Sequence, residues 1–415
     1  MTLIKTSLLN AIAVVIKMLT LLGLNKILAV YVGPAGYAAI GQLQNAIQMI
    51  LTLSGGALNT GVTKYTAEYV DDESKQLNLW KTAFKINLIA CTILSLLLMI
   101  FYQELAVYFF NSEEHKNIFL WFSATIMLFV FNSFFVAILN GKKEIALYVK
   151  INIFGSFVSL IITGLSANYF GLHGVLIALV TNQSIVFFIT VFLCRHFLWF
   201  KWSSFYGLFD KKEGRKLGRF ALVALTSALV VPISHIFVRI HLTENFGWEQ
   251  AGYWDAMWRI STIYLMFITM TLSVYYLPRL SEITSKKEMR AELIQGYKLI
   301  LPVLISISLT IYLFRDFIID LLFSAEFKQM EILFFWQLIG DTIKIASWLL
   351  AYVLLGKAML KLLVFTEILF AFSFYGLTVI MSKSYGFEGV ALGHTLNYLL
   401  YFLFIYFILK KSNQI

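Results

Sequence analysis

Charge is scarce in this chain, and the usual signatures of soluble enzymes are missing. Only 13% of its 415 residues are Asp, Glu, Lys or Arg, about half the share of an average soluble domain, which excludes an ordinary globular surface. Cysteine is limited to Cys91 and Cys194, both inside apolar runs. A disulfide framework is thereby excluded, and the two thiols read as small core hydrophobes. There is no glycine loop followed by Lys and Ser/Thr, no H-E-x-x-H, and no Cys/His cluster at metal spacing. A cofactor or resident metal therefore has no recognisable ligands. The longest interruption between apolar runs, Arg195 to Arg219, is too short to hide a catalytic or nucleotide-binding domain. An enzyme is disfavoured.

What is present is apolar. Hydrophobic residues make up 60% of the chain and the mean hydropathy is +0.79, values that place it in a membrane. Roughly twelve apolar runs recur, each near the 20 residues that a helix needs to cross a hydrocarbon core of about 30 Å. They lack the alternation of barrel strands, so helices must satisfy the backbone internally. The expected fold class is an all-α integral membrane protein. The first run, Leu8 to Tyr31, is longer than a signal-peptide core, carries Lys17 and has no small-x-small cleavage site; it reads as a retained helix. Gly33, Pro34 and Gly36 then break the chain into a helix-helix turn. Tyr37, Trp80 and Trp248 lie near span ends and read as interfacial anchors.

The segment Arg195 to Arg219 is the most basic loop and lies near the midpoint. Counting Lys and Arg in alternate loops gives 24 on its side and four on the other, Lys116, Arg315, Lys328 and Lys383. That bias places the segment and both termini in the cytoplasm. The net charge of +10 follows from this bias and from attraction to anionic membrane lipids; nucleic acid need not be invoked. A shift of 215 positions carries Gly141-Lys142 onto Gly356-Lys357, Gly171 and Gly174 onto Gly386 and Gly389, Trp121 onto Trp336, and Lys64 onto Arg279. The register reads as an internal duplication. Residues 1-194 form an N-terminal six-helix lobe, 195-219 a cytoplasmic connecting loop, and 220-415 a C-terminal six-helix lobe. Even helix numbers make the lobes relate by a pseudo-twofold axis along the membrane normal, with a cavity between them.

Ionisable side chains inside apolar helices cost about 2.5–3.5 kcal/mol each on insertion scales, so each needs a reason. Lys17 is mid-helix with no acid within one turn and reads as lining a wet cavity. Lys26 and Arg239 read either as functional or as snorkelling to the outer interface. Asp255 and Arg259 are four apart in the acid-before-base order of an ion pair, and Asp341 and Lys344 are three apart, with Gln337 on the same stripe. Structural neutralisation and function are both open for these pairs. Gln42 and Asn45 share a polar face, and His235 reads as a hydrogen-bonded helix residue. The embedded charge is mostly basic, which favours an anionic substrate. Asp255 or Asp341 is a candidate for ion coupling.

Several strings carry a resemblance: VGPAG at Val32 to Gly36, GVTKY at Gly61 to Tyr65, LPRLSE at Leu277 to Glu282, RDF at Arg315 to Phe317, and WQLIGDTIK at Trp336 to Lys344. On these the chain resembles the Wzx flippases of O-antigen and enterobacterial common antigen units, in the MOP exporter superfamily, over nearly its whole length. The resemblance implies a MATE-like fold of two lobes in the bacterial inner membrane. It also implies translocation of an undecaprenyl-diphosphate-linked oligosaccharide from the cytoplasmic to the periplasmic leaflet by alternating access, for lipopolysaccharide biosynthesis. A polysaccharide polymerase and a chain-length regulator are the implied partners. Lys17, Lys26, Arg239, Asp341 and Lys344 match the family pattern. Asp255 and Arg259 stand where relatives have uncharged polar residues. A proton- or sodium-coupled small-molecule exporter is the alternative reading. A membrane glycan polymerase fits less well, because it would need a sizeable loop with paired catalytic groups.

Overall fold

The computed structural model of the protein describes residues 3–412 and 414; the side chains of residues 3–13, 223, 227 and 274 lie outside that description. Lys5, counted above among the basic loop residues, is one of these. Fourteen α-helices are described, and no strand is present among the described residues. They are α1 (Leu3–Leu53), α2 (Asn59–Glu68), α3 (Glu73–Ile100), α4 (Tyr102–Phe110), α5 (Asn117–Gly141), α6 (Ile145–Cys194) and α7 (Lys211–Phe246). The remainder are α8 (Trp248–Thr271), α9 (Leu277–Glu282), α10 (Lys286–Leu313), α11 (Arg315–Leu322), α12 (Phe334–Gly356), α13 (Leu360–Tyr385) and α14 (Gly389–Lys411).

Among the described residues, eight helical stretches are long and apolar enough to cross a membrane, against the roughly twelve separate runs that spanning length suggests. Glycine accounts for part of the difference. Helix α1 is broken at Gly33 (φ 67°, ψ −177°) and α6 at Gly171 (φ 55°, ψ −141°), so each holds two of the expected runs in one helical stretch. Only glycine enters these backbone regions without a Cβ clash, and Pro34 restarts the helix at a position where its missing N–H costs nothing. The stretch 360–411 is likewise counted once and turns at Gly386 (φ 65°). Helix α8 carries Glu249, Asp255 and Arg259 and is not among the eight.

The chain divides into two compact units: unit 1 is Met1–Val32 with Ala39–Pro232, and unit 2 is Gly33–Ala38 with Ile233–Ile415. The basic segment 195–219 belongs wholly to unit 1, and the division falls within α7 at Pro232. That segment is more than a charged strap. Its Trp199, Phe200 and Phe205 pack into an aromatic core with Trp80, Phe84, Phe134 and Phe135. Phe205 lies 5.1 Å from the Phe135 ring and 6.1 Å from Phe134, centroid to centroid. Lys216 donates to the Tyr69 hydroxyl and to Glu213, and Tyr69 in turn donates to Glu213 at 3.1 Å.

Two of the expected interfacial anchors are core residues instead. The Trp80 indole N–H donates to Thr66 Oγ1 at 2.9 Å beneath the basic segment. Tyr37, grouped with unit 2, stands edge-on to Phe323 and Phe327 at 5.9 and 5.2 Å. Composition marks an aromatic near a span end as interfacial; here other segments cover the ends.

The 215-position shift reappears as backbone geometry. Lys143 (φ 59°) and Ala358 (φ 54°) are both left-handed, as are Gly171 (φ 55°) and Gly386 (φ 65°). The Glu144 N–H donates to Leu139 O at 3.0 Å, and Met359 N–H donates to Leu354 O at 2.8 Å. A left-handed non-glycine residue costs about 1–2 kcal/mol, so its recurrence at matching positions marks one turn design used twice. One position out of this register, Gly33 (φ 67°) matches Gly247 (φ 96°) at the α7–α8 junction.

Candidate functional site

The ionisable residues of unit 2 converge from α7, α8, α12 and α14. Arg239 on α7 and Asp255 on α8 form a two-pronged pair: Nε donates to Oδ2 and Nη2 to Oδ1, each at 2.6 Å. Arg239 is 2% exposed, so it does not snorkel to an interface. Two aligned bonds supply what a guanidinium taken out of water requires. Asp255 therefore gives both carboxylate oxygens to a residue of the preceding helix, and Arg259 one turn away adds a second positive charge near it. Arg259 lies over the ring of Tyr37, 4.7 Å from its centroid.

Asp341 on α12 is fully buried and surrounded by donors. Its Oδ2 accepts from Ser261 Oγ at 2.5 Å and from Tyr264 OH at 2.8 Å, both on α8. Its Oδ1 meets His394 Nε2 of α14 at 3.1 Å and Gln337 Nε2, one turn away on α12, at 3.4 Å. This is a carboxylate solvated by protein in place of water. Gln337 belongs to the polar stripe the sequence displays; Ser261, Tyr264 and His394 do not.

Lys344, one turn from Asp341, completes the group. Its ammonium faces three rings, 4.8 Å from Trp258, 5.1 Å from Trp348 and 5.5 Å from Tyr398. Such cages hold cations through the ring quadrupoles. His235, expected to be hydrogen-bonded, packs among Trp254, Trp258 and Phe374, with its ring 4.5 Å from that of Trp258.

Four candidates lie elsewhere. Lys17, Lys26, Gln42 and Asn45 belong to unit 1 on α1. Lys17 is exposed, Lys26 and Asn45 are half-buried, and Gln42 is buried. The other five, Arg239, Asp255, Arg259, Asp341 and Lys344, belong to unit 2. Among the described residues no group of His, Cys, Asp and Glu is placed to hold a metal ion.

The repeat supplies an internal control for the polar group. At the 215-position shift, Asp341 corresponds to Ile126, Lys344 to Phe129 and His394 to Leu179. In the register set by Gly33 and Gly247, Asp255, Ser261 and Tyr264 correspond to Gly41, Ile47 and Ile50. Unit 1 thus builds the matching helices with apolar residues or glycine at these positions. The fold does not require the polar cluster, so function is the better account of it.

A family model described as polysaccharide biosynthesis protein matches residues 3–284. The chain is 28% identical over 406 residues to the lipid III flippase of Escherichia coli (strain K12), covering 97% of each. It is 21% identical over 386 residues to a probable lipid II flippase MurJ of Borreliella burgdorferi, covering 86% of this chain and 73% of that one. Among solved structures, an inward-facing MATE family transporter of the MOP superfamily superposes with a TM-score of 0.76 at 15% identity over 95% of both chains. The lipid II flippase MurJ in its inward closed conformation gives 0.76 at 15% identity, over 98% of this chain and 87% of that one. These likenesses show a shared fold.

Proposed function

The chain belongs to the polysaccharide biosynthesis protein family, and from that premise we propose that it is a flippase for an oligosaccharide linked to a polyprenyl diphosphate. The observation that carries this reading is the match along 97% of both chains to a lipid III flippase. The buried cations of unit 2 add a chemical reason. A diphosphate is the one strongly anionic part of such a substrate, and Lys344 offers a buried cation held by rings. The protein works by alternating access in the bacterial inner membrane, with both termini in the cytoplasm, as the lysine and arginine bias supports. Its relatives are flippases, not catalysts, and this chain transports without making or breaking a covalent bond.

Lys17, Lys26, Arg259, Lys344, Gln42 and Asn45 are assigned to substrate recognition, with Arg239 held in place by Asp255. An O-antigen or common-antigen type of repeat unit fits the reading, and a polysaccharide polymerase and chain-length regulator would then take up the product. The test is complementation of a strain lacking its own flippase. Lys17→Ala and Lys344→Ala insert normally and fail to restore surface glycan; wild-type glycan from both variants would remove these residues from the site.

A further inference from the structure

His394 makes one contact too few. Its ring is fully buried, with Nε2 at 3.1 Å from Asp341 Oδ1, while Nδ1 has no hydrogen-bond partner among the described residues. The proton count decides which nitrogen is bare. Ser261 Oγ accepts from Gln337 Nε2 at 3.4 Å, so its own proton goes to Asp341 Oδ2, where the Tyr264 hydroxyl donates as well. A carboxylate receiving these donors is ionised and accepts only. His394 therefore donates from Nε2–H, and its buried Nδ1 presents an unused lone pair.

An unused buried acceptor is a liability that folded proteins seldom retain without purpose. The repeat shows that the liability is avoidable here, since Leu179 and Ile126 stand at the corresponding positions of unit 1. Gly340 even makes room for the ring, because any side chain at that position would run into the edge of His394. In unit 1 the matching position is Thr125.

We propose that His394 Nδ1 is a proton-binding site, with Asp341 as its fixed counter-ion, and that its loading is coupled to binding of the anionic substrate. The step is simple: a proton adds to the Nδ1 lone pair, the Nε2–H bond to Asp341 stays, and no covalent bond breaks. The ionisable groups around the ring are Asp341 and Lys344 on α12, Tyr398 on α14 and His235 on α7, with Tyr264 on α8 behind Asp341. With Asp341 negative and Lys344 positive, the proton takes this group from net zero to plus one. By linkage, proton and anion then strengthen each other's binding. The coupling half of the proposal rests on the flippase reading; the proton seat does not.

Two measurements on the full-length protein in lipid bilayers test it. The first is nitrogen-15 NMR of labelled histidine between about pH 8 and pH 5, the window a histidine spans, with His394→Gln identifying the signal. The expected signal has one bare nitrogen at the upper end and two protonated nitrogens at the lower. The second is binding of a labelled polyprenyl-diphosphate-linked oligosaccharide. Wild type tightens by up to about tenfold per pH unit as pH falls through the transition. His394→Gln keeps a donor for Asp341 and binds with a flat pH profile. A ring that keeps its bare nitrogen down to about pH 5, or a variant with the wild-type profile, overturns the proposal. If His394→Gln fails to fold, Gly340→Ala, which crowds the ring away from Asp341, takes its place with the same expected loss of pH dependence. If wild type binds no such lipid, the flippase reading fails and the NMR titration alone decides the proton seat.

Discussion

Replacing Arg239 and Asp255 one at a time and then together gives the sharpest energetic test of unit 2. Both side chains are nearly sealed, at 2% and 8% exposure, and they meet through a bridge of 2.6 Å. A unit charge pair at about 4 Å is worth roughly 4 kcal/mol at an effective dielectric of 20, and desolvation of the two ions cancels much of that gain. Removing one partner is different, because it leaves the other charged and buried without its counter-ion, at a cost of about 3–5 kcal/mol. Arg239→Met and Asp255→Leu are therefore each expected to destabilise by that amount. The double variant should recover most of the loss, because an apolar pair of similar volume is close to neutral in such a setting. The coupling energy from the cycle, the two single losses added together less the small loss of the double, is then on the order of 5 kcal/mol or more. Unfolding in detergent, followed by tryptophan fluorescence, reads all four proteins, and Trp254 beside the guanidinium reports locally. Single variants each costing less than about 1 kcal/mol would refute the assignment of a desolvated pair, as would a double variant equal to the sum of the singles.

Lys344→Met keeps the stem volume and loses only the ring-held charge, so its unfolding should shift by no more than about 2 kcal/mol while glycan transport is lost; transport at the wild-type rate would show the cage to be structural. At Gly171 the space around a Cβ is open and the backbone is left-handed. Gly171→Ala should therefore cost about 1–3 kcal/mol through strain alone, and Gly171→Asn about the same, because a ψ of −141° lies outside the left-handed helical region that Asn favours; thermal unfolding in which either variant costs less than about 0.5 kcal/mol would refute the strain. Phe205→Ala removes a buried ring and should destabilise by about 3–5 kcal/mol. The pair Lys211→Gln and Lys212→Gln, both exposed, should stay within about 0.5 kcal/mol each, measured in the same unfolding experiment.

Hydropathy, the glycine breaks and the duplicated register made the helical architecture readable from the chain, because each is a local or periodic property. The partners of the embedded charges were not readable. Spacing rules offer Asp255 the base four residues on, but α7 and α8 pack so that Arg239 reaches it first. Asp341 and Lys344 share a helix face, yet one is solvated by α8 and α14 and the other by aromatic rings from three helices. Tertiary contacts across 53 to 80 positions leave no mark in local pattern. His394 is an instructive exception. A single histidine in an apolar run carries no signal alone, but laying the two halves over each other sets it against Leu179 and would have singled it out.

The aromatic anchoring of residues 195–219 also bears on the order in which the molecule can be made. The core holding Trp80, Phe134 and Phe135 lacks Phe205 and Leu217 until those residues have left the ribosome. The first unit thus matures only after the opening turns of α7 are synthesised. A two-plasmid split of the gene should respect this timing. Fragments divided at residue 194 would strand the closing rings on the wrong polypeptide, whereas a division at Pro232 gives the first fragment everything its own core contains.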